Sequence, residues 1–380
     1  MQTLTTDKLE AGMVVAEPIL TKRGQVIAKA GEKLSNQLIA KLTFYRIESV
    51  SIEEEEAPEE IPVAEEPAPS QEPKATPKES TSRVSDQITY TQRLKASPSF
   101  QKFQTDYALN ITSLKKNIEA IKNGGDASCT RDMLENCESL FISKTSLELL
   151  DMIGNMRNLE DPIYSHSLNV ALIARAIGKW LKWPKDALND LILAGLLHDI
   201  GKTEIPESIL NKPGKYTDDE FETMKSHPLL GKKILNGKGF DSNILAATLQ
   251  HHERSDGSGY PRGLMDDEID DFACVIAIAD VYDAMTSARA HREPLCSFQV
   301  ISQFEKEGLH KYRTKYILTF LERIANAYNN SRVMLNNAKT GRVVYINKSS
   351  LSRPVIQLDN GEIINLADSA YNNIFIKSIL

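Results

Sequence analysis

Cysteine is scarce: Cys129, Cys137, Cys274 and Cys296 are the only four in 380 residues, and none sits in a CxxC pair. Cysteines so few and so scattered exclude a disulfide framework and point to reduced, structural thiols. Long apolar runs are missing as well. The longest, Leu191 to Leu197, is far shorter than the roughly 20 residues a membrane-spanning helix needs. Met1 to Glu10 is polar and lacks a signal-peptide pattern, so a cytoplasmic protein is expected. No basic run offers a footing for a nucleic-acid polymer.

What is present is ample for two or three domains, with 41% hydrophobic and 26% charged residues. The net charge of −7 is not spread evenly. Residues 53–80 hold ten Glu and two Lys, a local balance of −8, which leaves the rest of the chain at +1. A general acidity therefore does not argue against an anionic substrate. The same stretch carries six prolines and almost no aromatic content, so residues 53–83 are expected to be an extended, disordered tether. The run Glu53 to Glu56 is read as solvated tether, not as a metal-binding cluster.

Periodicity divides the remainder. Residues 1–52 alternate short β-like runs (Met13 to Ala16, Gln25 to Ala28, Ile47 to Ile52) with a helix that Ser35 would cap, a small α+β module. Residues 84–130 form a helical connector: Tyr107, Ile111, Leu114, Ile118 and Ile121 make one apolar stripe that stops at Gly124 and Gly125. The stripe packs on its own domain or supports a homodimer. Residues 131–330 are an all-α core, with His166, Val170, Ile173 and Ile177 on one helix face and a buried helix over Leu188 to Leu197. Residues 331–380 turn β-branched at Val343 to Ile346, Val355 to Leu358 and Ile363 to Leu366, with a hairpin at Asp359-Asn360-Gly361, a small β extension. The fold expected is mainly α.

Five of the seven histidines, His166, His198, His227, His251 and His252, fall within 87 positions of the helical core. His198 and Asp199 end the apolar helix, where a polar pair is costly without compensation. A divalent metal would compensate it, and mixed imidazole and carboxylate donors suit Fe, Mn, Co, Ni or Zn better than Ca or Mg. Each histidine alone would be an ordinary core or surface residue. It is their grouping that points to a metal.

Tyr164-Ser165-His166-Ser167 and Leu197-His198-Asp199-Ile200-Gly201-Lys202 resemble the opening motifs of the HD phosphohydrolase superfamily. Lys212-Pro213-Gly214, Ser226-His227-Pro228, His251-His252-Glu253, Asp256-Gly257-Ser258-Gly259-Tyr260-Pro261 and Ile278 to Ser287 narrow the resemblance to the HD-GYP family, over roughly residues 131–330. That resemblance implies an all-α HD-type core and a cytoplasmic bacterial phosphodiesterase of second-messenger signalling. It would open cyclic diguanylate to linear pGpG, with onward cleavage to GMP left open, by a bridging hydroxide between two divalent ions. Iron or manganese is expected first, with Co, Ni or Zn compatible. By matching position, His166, His198, Asp199 and Asp280 would hold one ion, and Asp199, His227, His251 and His252 the other.

The resemblance also implies that Lys202 lies by the scissile phosphate or bridging water, that Tyr260 contacts base or ribose, and that Asp283 supports the metal shell or guanine. Arg289 and Arg292 match the positions that grip the second phosphate. If the helix carrying Asp280 continues, Arg289 lies nine residues, about 13 Å, further along it. Gly257 and Gly259 would permit the tight loop that brings Tyr260 inward. Glu253 is read as a carboxylate that orients a ligand imidazole, while His291 and His310 match no ligand position. One departure matters: Pro162 stands where three-metal members place a glutamate, so two ions are expected, with a third at Asp161 the minority reading. Two alternatives remain at this level: a low-turnover module that binds a cyclic dinucleotide or a protein, and a hydrolase of another cyclic dinucleotide or nucleotide. The modules before and after the core resemble segments that flank the family's catalytic domain and carry no legible ligand.

Overall fold

A computed structural model describes residues 2–5, 9, 12–20, 26–34, 42, 49–52, 94–142, 144–156, 162–287, 294–307 and 309–380. The chain divides into two units, Met1–Ser80 and Thr81–Leu380. In the first unit, β1 (Gln2–Thr5) pairs antiparallel with β4 (Ser49–Ile52), and β2 (Ile19–Leu20) with β3 (Val26–Ala28). Val15, Leu34, Leu42, Val50 and Ile52 close a small core of their own. Strands β3 and β4 fall where β-branched runs predict them. Strand β1, with Leu4 its only apolar residue, gives no such signal, and Met13 to Ala16 contributes isolated bridges at Val14 and Val15 instead of a strand. The expected Ser35 helix, apart from Leu42, and the 53–83 tether lie outside the described residues.

The second unit begins with α1 (Pro98–Lys122). Ser97 caps it, its side chain accepting from Phe100 N–H at 3.1 Å, an interaction worth about 1 kcal/mol, and Pro98 fits the first turn. All five residues of the predicted stripe, Tyr107, Ile111, Leu114, Ile118 and Ile121, are buried in the core of this same unit. Of the two roles open to the stripe, packing on its own domain is the one these contacts fill.

Helices α2 (Arg131–Phe141) and α3 (Ser146–Asn155) lead to α4 (Pro162–Trp180) and α5 (Lys185–Leu197). After a 3-10 turn (Ile200–Glu204) come α6 (Glu207–Leu210), α7 (Asp218–Met224), α8 (His227–Leu235), α9 (Ser242–Gln250), α10 (Asp271–Thr286), α11 (Ser297–Glu307) and α12 (Thr314–Ala327). Helix α4 packs against both α5 and α10 and forms the centre of the core. Leu191 to Leu197 is wholly buried, as its unbroken apolar run requires. Among the described residues no helix is long and apolar enough to cross a membrane.

The chain ends in a five-stranded antiparallel sheet. Its strands β5 (Arg332–Leu335), β6 (Thr340–Tyr345), β7 (Val355–Leu358), β8 (Ile363–Asn365) and β9 (Ile376–Ile379) stand in the order β8-β7-β6-β5-β9. The sequence predicts β6, β7, β8 and the hairpin between the last two. It does not reveal β9, whose pairing with β5 spans some 40 residues of chain and depends on no local turn. The observed class is the expected one: mainly α, with a helical core and small β elements.

Candidate metal centre

The polar residues of the core converge at one place. Asp199 immediately precedes the 3-10 turn after α5, and Gly201 in that turn touches α8 so closely that a Cβ there would stand 1.9 Å from the His227 carbonyl oxygen. Only glycine permits this approach, which brings the His198-Asp199 pair up to His227. His166 enters from α4, His251 and His252 from the end of α9, and Asp280 from α10. Two groups result, each with ligand atoms within 4.8 Å of one another: His166, His198 and Asp199; and Asp199, His227, His251 and His252. Asp199 belongs to both. Asp280 stands beside the first, its Oδ1 3.1 Å from His166 Nε2.

Hydrogen bonds turn the rings so that their Nε2 atoms face inward. His198 Nδ1 donates to Gly195 O at 2.7 Å, His227 Nδ1 to Met224 O at 2.7 Å and His251 Nδ1 to Thr248 O at 3.0 Å. A carbonyl only accepts, so each Nδ1 carries a proton and Nε2 is the ring atom left facing inward. His166 Nδ1 likewise meets an acceptor, Asp283 Oδ2, at 2.7 Å. His227 Nε2 and His251 Nε2 consequently face each other 3.2 Å apart. His198 Nε2 and Asp199 Oδ1 are buried with no hydrogen-bond partner among the described residues. Buried acceptors left unsatisfied are costly, and a cation is what satisfies all of them together. The residues therefore fit a divalent metal centre, with the anchored rings that metal ligation requires.

Electrostatics agree. Burial, reinforced by the neighbouring His198 and His227, pushes His251 down to about 4 against the opposing pull of Asp199. Burial likewise holds His252 well below its ordinary range, with His251 adding to the effect. Burial would raise Asp199, but His198, Lys202 and His227 outweigh it and keep the carboxylate ionised. His166 is the exception: burial lowers it, yet hydrogen bonds to Asp280 and Asp283 win and hold it up to about 10 in the metal-free site.

The site has an inside and an open edge. His198, Asp199, His227 and His251 are buried, whereas His166, Asp280, Lys202, His252 and Tyr260 are partly exposed. Lys202 Nζ sits 2.5 Å from Asp199 Oδ2 with its side chain still 23% exposed. Tyr260 stacks on His252, ring centroids 4.6 Å apart at 24°. Gly259 makes the turn behind it, in a space where a Cβ would stand 2.4 Å from Glu253 Cα.

Several expectations are corrected or redirected. Glu253 does not orient an imidazole; its buried carboxylate accepts from Arg262 N–H (2.8 Å) and Leu264 N–H (3.0 Å) and so clamps the Tyr260 loop. Asp283 is buried, with one oxygen on His166 and the other accepting from Asn169 Nδ2 at 2.8 Å and Ser287 Oγ at 2.9 Å. Of its two expected roles, this arrangement carries support of a ligand histidine. Helix α10 ends at Thr286 and Ser287 is extended, so the continuous helix assumed for the reach of Arg289 does not exist. Arg289, Arg292, His291 and Asp161 lie outside the described residues. Pro162 opens α4, and His310 pairs with Asp256 at the surface. Asn169 and Tyr107 were missed; an asparagine three residues beyond His166 in a buried helix was the available signal. The cysteines form no disulfide, and burial pushes the Cys137 and Cys274 thiols up to about 12.

A helical core with a buried His-Asp doublet at the centre of a metal-ligand cluster defines the HD class. Residues 129–314 match the HD domain family, and this segment carries the Gly-Tyr-Pro loop on which the resemblance to the HD-GYP family rests. A cyclic di-GMP phosphodiesterase of Pseudomonas aeruginosa is 32% identical over 211 residues, 55% of this chain and 50% of that protein. A 3'3'-cGAMP-specific phosphodiesterase of Vibrio cholerae is 36% identical over 164 residues, 42% of this chain and 38% of that protein. The chain thus spans about half or less of the length of these curated relatives. Among solved structures, an HDG"Y"P protein of Bdellovibrio bacteriovorus superposes with a TM-score of 0.50 at 15% identity, over 85% of this chain and 99% of that one, a likeness of fold alone.

Proposed function

We propose that the chain is a metal-dependent phosphodiesterase that opens cyclic diguanylate to linear pGpG. The observation that carries this reading is Asp199, a buried carboxylate shared by two groups of inward-facing imidazoles, with a lysine at its exposed side. His166, His198, Asp199 and Asp280 are assigned to one ion and Asp199, His227, His251 and His252 to the other, iron or manganese first. When bound, the ions supply acidification of water and neutralisation of charge at phosphorus. Lys202, three residues beyond the shared ligand, donates to a non-bridging phosphate oxygen and stabilises charge that develops there. Tyr260 offers a ring face at the edge of the site on which base or ribose rests. Arg289 and Arg292 are assigned to the second phosphate, as planar forks suited to its oxygens. A homodimer through the connector would use a face of α1 other than the buried stripe.

A second reading, hydrolysis of 3'3'-cGAMP, is favoured by the Vibrio cholerae relative. The decisive experiment follows both dinucleotides by chromatography with manganese- or iron-loaded protein, beside Asp199→Ala. Cleavage of cyclic diguanylate that falls more than about 100-fold in the variant supports the proposal. Metal-loaded protein that leaves it intact, or cleaves only 3'3'-cGAMP, overturns it.

A further inference from the structure

One chain of hydrogen bonds leaves the metal centre and ends outside it, on the connector helix. Tyr107, in the middle of α1 and fully buried, donates its hydroxyl to Asn169 Oδ1 at 2.7 Å and also lies 3.0 Å from Ser165 O. Asn169 Nδ2 donates to Asp283 Oδ1 at 2.8 Å, and Asp283 Oδ2 takes the proton side of His166 at 2.7 Å. An ionised carboxylate only accepts, so Asn169 turns its NH2 to Asp283; its oxygen then faces the Tyr107 hydroxyl, whose single proton serves Asn169 Oδ1 at 2.7 Å and Ser165 O at 3.0 Å, the shorter contact being the one to Asn169. His166 in turn must carry its proton on Nδ1 and present Nε2 to the metal.

From this we infer that Tyr107 is a positioning residue: through Asn169 and Asp283 it fixes the tautomer and ring angle of His166, so that the seat of α1 on α4 sets how tightly the first metal is held. The inference rests on the metal-centre reading and goes beyond it, because it gives the connector helix a part in the site. Nothing in the relay touches substrate. Without the Tyr107 hydroxyl, Asn169 Oδ1 loses its buried donor and the amide is free to turn its oxygen toward Asp283, which repels it and loosens His166.

The test measures manganese affinity by chelator competition in wild type, Tyr107→Phe, Asp283→Asn and the double variant. Tyr328→Phe serves as the control, because it also removes a buried hydroxyl, one bonded to Asp151 Oδ1 at 3.0 Å and not to the metal-centre relay. The expected result is about 10-fold weaker binding of one ion in Tyr107→Phe, 10- to 100-fold in Asp283→Asn, and less than the product of the two in the double variant. Tyr328→Phe should lower thermal stability alone, and in Tyr107→Phe kcat should fall more than KM changes. Two ions bound equally well by wild type and Tyr107→Phe, equal weakening by both tyrosine variants, or fully multiplicative effects would each overturn the inference and leave the metal centre standing. A wild type that binds no metal would overturn both.

Discussion

At the scale of single residues, the centre is built by anchoring one ring nitrogen of each histidine and turning the other inward. Among the described residues His198 Nε2 and Asp199 Oδ1 are buried without a hydrogen-bond partner, and the His198, His227 and His251 rings are each anchored through Nδ1 on a carbonyl, which turns Nε2 inward. His166 alone differs, since Asp280 and Asp283 hold its proton up to about 10 in the metal-free site. The sign of the effect follows. Below about 10 a metal must displace that proton, so affinity rises with pH until His166 is neutral, and binding at neutral pH releases about one proton from this ring. Calorimetry in buffers of different ionisation enthalpy reads that release; binding at pH 7 without it would contradict the assignment. The histidines themselves were legible because their clustering and motif spacing are local facts of sequence. Their orientation was not, since it depends on helix carbonyls such as Gly195 O and on Asn169, which become neighbours of the rings only once α4, α5 and α10 pack.

At the scale of elements, regular pieces were easier to foresee than their ends. The stripe of α1 and the apolar run of α5 announce buried helices directly. The end of α10 at Thr286 does not show in its sequence, because the run Ala284-Met285-Thr286-Ser287 has helix formers and no glycine or proline. Glu253 illustrates the same limit: a carboxylate beside two ligand histidines looks like a partner for an imidazole, yet it clamps the backbone nine and eleven residues later. Truncating it as Glu253→Ala takes the charged acceptor from two part-buried N–H groups, at a cost of about 2 kcal/mol, and frees the loop that holds Tyr260 over His252. Thermal unfolding should register that loss. Steady-state kinetics should show a higher KM for the dinucleotide with bound metal unchanged. Loss of metal would instead make Glu253 part of the centre.

At the scale of the whole molecule, all the assigned metal ligands, with Lys202 and Tyr260, lie in the unit Thr81–Leu380, and the first unit closes a core of its own. Removing residues 1–80 should therefore leave metal stoichiometry within error and hydrolysis within about threefold, measured side by side with the full chain. A collapse of metal binding on that deletion would show that the site depends on the first unit. The overall order of helical core and closing sheet was readable from the change in periodicity along the chain. The pairing of β9 with β5 was not, since long-range strand pairing leaves no local trace. The central claim is that Asp199 is one carboxylate serving two ions. Counting metal per chain by elemental analysis tests it most directly: wild type should carry two equivalents and Asp199→Ala essentially none, whereas a single equivalent in wild type, or both retained in the variant, would contradict it.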